Sequence, residues 1–178
     1  MSRTSMDMTR GSLKKQILFF SIPLMLSNLL QVLFNMSDIA VIGQFAGAMS
    51  LGAVGSTTTL ISMYTGFLIG LSGGINVLTA LYIGARNRKS VSETVHSAFL
   101  VSLAVGLILL ILGVSTSRGV LVLLNTKEEL IDKAALYIRI YFLGIPALAL
   151  YNFGNAVFSA AGDTGRPLRY LFLSGIVN

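Results

Sequence analysis

The chain contains no cysteine and one histidine, and charged residues make up 11% of its 178 residues; an ordinary soluble domain carries about 25%. Without cysteine, neither a disulfide nor a thiolate metal site can form. The shortage of charge excludes an ordinary soluble domain, because no amphipathic helices remain to cover the apolar ones with a polar shell. A net charge of +6 would suit nucleic acid, but the basic residues do not gather on one surface-forming element. They stand at the ends of apolar runs, where anionic lipid headgroups would meet them, so membrane lipids and not nucleic acid are the expected partners.

What the sequence has is long apolar runs. Four of them, at 17–42, 56–83, 98–114 and 134–160, approach or exceed the roughly 20 residues a helix needs to cross a hydrocarbon core of about 30 Å. A further run begins at Leu168 and reaches Asn178, too short to span. The pattern predicts an all-α membrane protein with four transmembrane helices plus the start of a fifth. Residues 1–15 form a basic segment, followed by an apolar run too long for a signal-peptide core, and 16–178 form an incomplete transmembrane bundle. An end inside a helix leads us to expect a fragment of a longer protein.

Basic residues set the orientation. Arg3, Arg10, Lys14, Lys15, Arg86, Arg88, Lys89, Arg166 and Arg169 fall on the N-terminal side of the spans; Arg118, Lys127 and Lys133 fall on the other, beside Glu128, Glu129 and Asp132. The positive-inside rule then places the N-terminus in the cytoplasm. Arg139 is left near a helix end, and His96, by the basic loop, reads as interfacial.

At 100° per residue, Ser21, Asn28, Gln31, Asn35 and Asp38 lie on one side of the first helix. Thr58, Ser62, Thr65, Ser72, Asn76 and Thr79 do so on the second, and Tyr137, Tyr141, Asn152, Asn155 and Ser159 on the fourth. Such stripes must turn toward protein or water, since unsatisfied polar groups cost several kcal/mol in hydrocarbon. Helices 1, 2 and 4 are therefore expected to share a hydrated interior lined by Asn28, Gln31, Asn35, Asn76 and Asn155; the alternative is that these groups only join helices by hydrogen bonds. Helix 3 is almost wholly aliphatic, with Ser102 as its polar group, and is expected to face lipid. Gly66, Gly70 and Gly74 form a small-residue ridge on helix 2. Pro23 and Pro146 each remove a backbone hydrogen bond and predict a kink or local weakness.

Asp38 is the one acid well inside an apolar run, at an insertion cost of about 2.5–3.5 kcal/mol. Counting from Leu18 puts it about 30 Å along the helix, near water, whereas the continuing run Ile39-Ala40-Val41-Ile42 places it within the span. Partial desolvation favours its neutral form and lets it take and lose a proton. Alternatively, the carboxylate serves as an oxygen ligand for Na+, with Asn amide oxygens completing the site.

Four stretches carry a family resemblance. They are Ile22-Pro23-Leu24-Met25-Leu26-Ser27-Asn28-Leu29-Leu30-Gln31 with Asn35-Met36-Ser37-Asp38; Gly43-Gln44-Phe45-Ala46-Gly47-Ala48; Gly70-Leu71-Ser72-Gly73-Gly74 leading to Gly84-Ala85-Arg86-Asn87; and Gly162-Asp163-Thr164-Gly165-Arg166-Pro167-Leu168. In this order and spacing they resemble the prokaryotic drug-export branches of the multidrug and toxic compound extrusion (MATE) family, over nearly the whole chain after residue 11. The resemblance implies part of the N-terminal six-helix bundle of a twelve-helix transporter, with the C-terminal half missing. It implies a multi-pass protein of a bacterial or archaeal plasma membrane, a carrier and not an enzyme. Such a carrier exchanges a cationic or amphiphilic drug for H+ or Na+ and needs no cofactor beyond the coupling ion. It assigns ion coupling to Asp38, partnered by Tyr137, Asn152 and Asn178.

Two other readings compete. A lipid-linked oligosaccharide flippase of the same superfamily would show cationic residues in its cavity for phosphate groups, and the three polar stripes contain no Lys or Arg. A small self-assembling four-helix membrane protein would not begin a fifth helix. The topology is testable because the chain lacks cysteine. Single cysteines introduced at positions 88 and 165 should react with a membrane-impermeant maleimide from the same side as one near residue 3, and labelling from opposite sides would refute the orientation.

Overall fold

Backbone hydrogen bonding, which has no substitute in hydrocarbon, is satisfied among the described residues mainly within helices. A computed structural model describes residues 12–45 and 47–177, and among them every regular element is an α-helix. They are α1 (Leu13–Phe45), α2 (Gly47–Gly84), α3 (Arg88–Leu123), α4 (Glu128–Leu143), α5 (Ile145–Ala160) and α6 (Gly165–Val177). At about 1.5 Å per residue, the 33, 38 and 36 residues of α1, α2 and α3 each exceed the hydrocarbon thickness. These three are long and apolar enough to cross a membrane, and α4 with α5 makes a fourth span if the bent pair is taken together.

The boundaries differ from those read in the sequence. Of the connection expected at 43–55, residues 43–45 belong to α1 and 47–55 to α2, and α3 runs well beyond 98–114 at both ends. The first helix starts at Leu13, inside the basic segment 1–15, most of which lies outside the described residues. Helix α3 extends because a helix can continue past the hydrocarbon into headgroups and water, where its charged ends are solvated, and 43–55 is helical although it is rich in glycine.

Three of the helix ends have the same geometry. After α2, α3 and α5 a residue enters the left-handed region: Arg86 (φ 56°), Asn125 (φ 53°) and Gly162 (φ 77°). In each, the following N–H reaches back five residues, Asn87 to Tyr82 at 3.0 Å, Thr126 to Leu121 at 3.1 Å and Asp163 to Phe158 at 2.9 Å. This satisfies carbonyls that the helix leaves open at its C-terminus. Asn87 then starts α3, its Oδ1 accepting the Ser90 N–H at 3.1 Å.

The two prolines behave differently. Helix α1 continues through Pro23; the Pro23 carbonyl accepts the hydroxyl of Ser27 at 2.9 Å. Just before Pro146 the helix breaks at Gly144: α4 ends at Leu143, α5 begins at Ile145, and the two are bent by 46°. Pro146 has no N–H for the Phe142 carbonyl and its ring crowds that position.

The chain divides into two compact units, one of residues up to 36, 71–98 and from 152 on, the other of 37–70 and 99–151. The first has a small core of Ile75, Ala98 and Ala156 with Leu71, Phe153 and Val157 against it. The second has the larger core, including Leu60, Leu68, Leu109, Leu121, Ile138, Phe142 and Ile145.

Helix α3 does not stand apart as its aliphatic sequence suggested. Of the three long helices it has the largest buried share, 28% of its most apolar window against 17% for α2 and 6% for α1, and Ser102 is buried. Two glycines explain this. A Cβ on Gly106 would stand 2.9 Å from Pro146 Cα, and one on Gly113 would fall inside the Phe142 ring. Apolar side chains fit lipid and protein equally well in a bilayer, so close approach at small residues decides which surface is covered. At the ridge Gly66-Gly70-Gly74 a Cβ would meet nothing within 4 Å among the described residues.

Gly113→Ala should therefore lower stability by about 1–3 kcal/mol through overpacking. Gly119→Ala, in the same helix but with open space at the Cβ, should be neutral or stabilising by up to about 1 kcal/mol. Thermal unfolding of both variants in detergent measures the difference, and equal effects would contradict the packing described.

Candidate functional site

The polar stripe of α1 forms as its spacing dictates, and along it Asn28, Gln31, Asn35 and Asp38 are all exposed. In the first unit, Asn28, Gln31 and Asn35 with Val32 and Met36 line a shallow hollow of about 390 Å³. Ser21 is half-buried on the same helix.

The α2 stripe is graded. Thr58 and Ser62 are exposed, Thr65, Ser72 and Asn76 half-buried, and Thr79 fully buried. Asn76 donates from Nδ2 to the Ala156 carbonyl at 2.8 Å, joining α2 to α5 within the first unit. Within the second unit, the Thr65 and Tyr141 hydroxyls lie 3.4 Å apart, and Tyr64 meets the Phe142 ring edge-on at 4.8 Å between centroids. Two members of the α2 stripe thus act as helix-to-helix links. The buried Thr79 hydroxyl has no hydrogen-bond partner among the described residues.

The four residues assigned to ion coupling are distributed as follows. Asp38 on α1 and the half-buried Tyr137 on α4 belong to the second unit. Asp38 and Tyr141 both lie within electrostatic range of the Tyr137 phenol. Asn152, half-buried on α5, belongs to the first unit, and Asn178 lies outside the described residues. Asn155 is half-buried, its Oδ1 accepting the Ser159 hydroxyl at 3.4 Å. Asp38 and Tyr137 thus bring a carboxylate and a phenol into the same unit from two different helices. No cluster of three or more His, Cys, Asp or Glu side chains occurs among the described residues, so any cation held here would rely on amide, hydroxyl and single carboxylate oxygens.

Two polar arrangements were not apparent from the stripes. On α4, Arg139 donates from Nε to the buried Ser117 hydroxyl of α3 at 3.3 Å, and Arg118 pairs with Asp132 at 3.0 Å on the exposed surface. At the α5–α6 turn, Asp163 is 3% exposed and takes two contacts from Arg166, an ion pair from Nε at 3.0 Å and a hydrogen bond from the backbone N–H at 3.2 Å. Arg166 lies 5.7 Å from the centre of the Phe158 ring, and the Thr164 hydroxyl donates to the Phe20 carbonyl of α1 at 3.2 Å. The turn chemistry of Gly162 to Pro167 was legible in the sequence. Its anchoring to α1 depends on residues about 144 apart in the chain and was not.

Comparison with known proteins agrees with this architecture. The family profile described as MatE matches residues 23–178. "Probable multidrug resistance protein YpnP" of Bacillus subtilis (strain 168) is 32% identical over 172 residues, covering 97% of this chain. "Probable multidrug resistance protein YoeA" of the same organism is 27% identical over 170 residues, covering 96%. The crystal structure of MATE in the bent conformation superposes with a TM-score of 0.88 at 25% identity over 96% of this chain. The chain spans 39% and 37% of the lengths of the two relatives and 39% of the solved chain. With all of its sequence from Pro23 onward matched and its helices superposing on a solved member, the chain belongs to the MatE family of membrane transporters.

Proposed function

We propose that the chain supplies part of the ion-coupled half of a secondary active multidrug exporter, one that exchanges a cationic or amphiphilic drug for H+ or Na+ across a prokaryotic plasma membrane. The observation that carries this reading is Asp38. It is an acid within the apolar sequence of α1, on the helix face that also bears Asn28, Gln31 and Asn35, and in electrostatic range of Tyr137. A carrier is driven by a gradient only when ion binding and conformational equilibrium are coupled, and a group whose charge changes between states provides that coupling. Tyr137 is assigned as hydrogen-bonding partner to the carboxyl group, with Asn152 and Asn178 as further polar ligands. Drug export follows the two relatives described as probable multidrug resistance proteins, and the cationic or amphiphilic class is what the family resemblance implies. A lipid-linked oligosaccharide flippase is the less favoured reading, because the stripes on α1, α2 and α4–α5 lack the Lys and Arg that phosphate groups would require.

The test is efflux from proteoliposomes under an imposed pH or sodium gradient, using the intact transporter. Asp38→Asn keeps size and hydrogen-bonding capacity, so membrane insertion and drug binding should survive while gradient-driven efflux falls to the level of protein-free vesicles. Wild-type rates at equal incorporation would place coupling elsewhere and leave Asp38 as a polar residue at a helix end. Running both gradients separately identifies the ion.

A further inference from the structure

Within the first unit, α1 and α6 run side by side in the same direction. The pairing is fixed at one end by the Thr164 hydroxyl on the Phe20 carbonyl and at the other by the Phe34 ring, which occupies the space a Cβ on Gly175 would need. Between these two contacts the helices separate and leave an open groove of about 540 Å³, within the 300–1,000 Å³ of small-molecule sites. Its walls are Leu26, Leu29 and Leu30 of α1 and Leu168, Phe172 and Leu173 of α6. The seventh residue of the wall is Arg169, and since the wall is apolar throughout, Arg169 contributes its methylene stem and holds the guanidinium outside. This is the snorkelling arrangement of a long cationic side chain at a membrane interface.

The two arginines of this region have different surroundings. Arg166 is engaged by Asp163 and Phe158. Arg169, one turn further and exposed, has no ion pair or hydrogen bond among the described residues. Its neighbour Tyr170 is 56% exposed, and Tyr beside Arg near the start of a helix marks the headgroup level of a bilayer. The groove thus combines an apolar trough with a cation that has no ion pair among the described residues.

We propose that this groove is a docking site for one anionic phospholipid, its phosphate paired with Arg169 and an acyl chain lying along Leu29, Leu30 and Phe172. Arg offers a forked set of donors matched to phosphate oxygens, and the negative headgroup supplies a counter-charge that Arg169 does not find among the described residues. The bound lipid would cover the gap between α1 and α6, linking the helix that carries Asp38 to the bilayer's composition.

The experiment is native mass spectrometry of the purified, detergent-solubilised protein titrated with phosphatidylglycerol or phosphatidylcholine of identical acyl chains. The wild type should bind one phosphatidylglycerol about fivefold more tightly than phosphatidylcholine, the factor expected from one basic residue at an anionic surface. Arg169→Gln should abolish the preference, Arg169→Lys should retain most of it, and Leu29→Trp, which fills the trough, should remove the site for both lipids. Circular dichroism confirms that each variant is folded. A preference unchanged in Arg169→Gln, or binding unchanged in Leu29→Trp, would overturn the proposal. So would a p-benzoylphenylalanine probe at position 172 that, in native membranes, crosslinks to polypeptide instead of lipid.

Discussion

Hydrocarbon offers a backbone N–H no partner except its own helix, and most of this chain's architecture follows from that constraint. Helices must be continuous across the core and may stop only where other groups or water can take over the open carbonyls. The chain meets this condition after α2, α3 and α5 with a left-handed residue and a reach-back bond. The interruption that lies within a span, at Gly144, is tolerated because the Gly144 N–H bonds to the Tyr141 carbonyl at 3.0 Å and the Leu148 N–H bonds to the Gly144 carbonyl at 3.0 Å. The 46° bend at Pro146 therefore costs little unsatisfied polarity and redirects the chain.

Once continuity is settled, packing is decided by volume, because apolar surface gains little by moving from lipid to protein. Gly113 admits the Phe142 ring and Gly106 admits Pro146, so the bend of α4–α5 seats against α3. A larger residue at 106 would not admit Pro146, since a Cβ there would stand 2.9 Å from its Cα. Polar groups add links at defined heights, Asn76 to the Ala156 carbonyl in one unit and Thr65 to Tyr141 in the other.

The exposed α1 stripe contrasts with these internal links. Asn28, Gln31 and Asn35 are exposed among the described residues, and on the same face Asp38 lies within electrostatic range of Tyr137. Helix packing needs polar groups that are paired and buried. A transport surface needs polar groups that can exchange partners with water, ions and substrate. The proposed coupling role rests on that difference between α1 and α2.

Much of this was determined by the sequence alone. Apolar run length required membrane helices, the 3.6-residue period put Asn28, Gln31, Asn35 and Asp38 on one face, Pro146 marked the bend, and Gly162 to Pro167 marked a turn, because each is a local property of consecutive residues. The tertiary structure decided the rest. Nothing local distinguishes Gly113, which receives an aromatic ring, from Gly70, which faces open space, or an aliphatic α3 facing lipid from one seated in a core. Nor does local sequence tell that Asp163 is buried beside Arg166 while Arg169, one turn on, has no ion pair among the described residues. These outcomes depend on which helix arrives from far along the chain, and in a medium where lipid and protein are equally apolar, hydropathy carries no record of it.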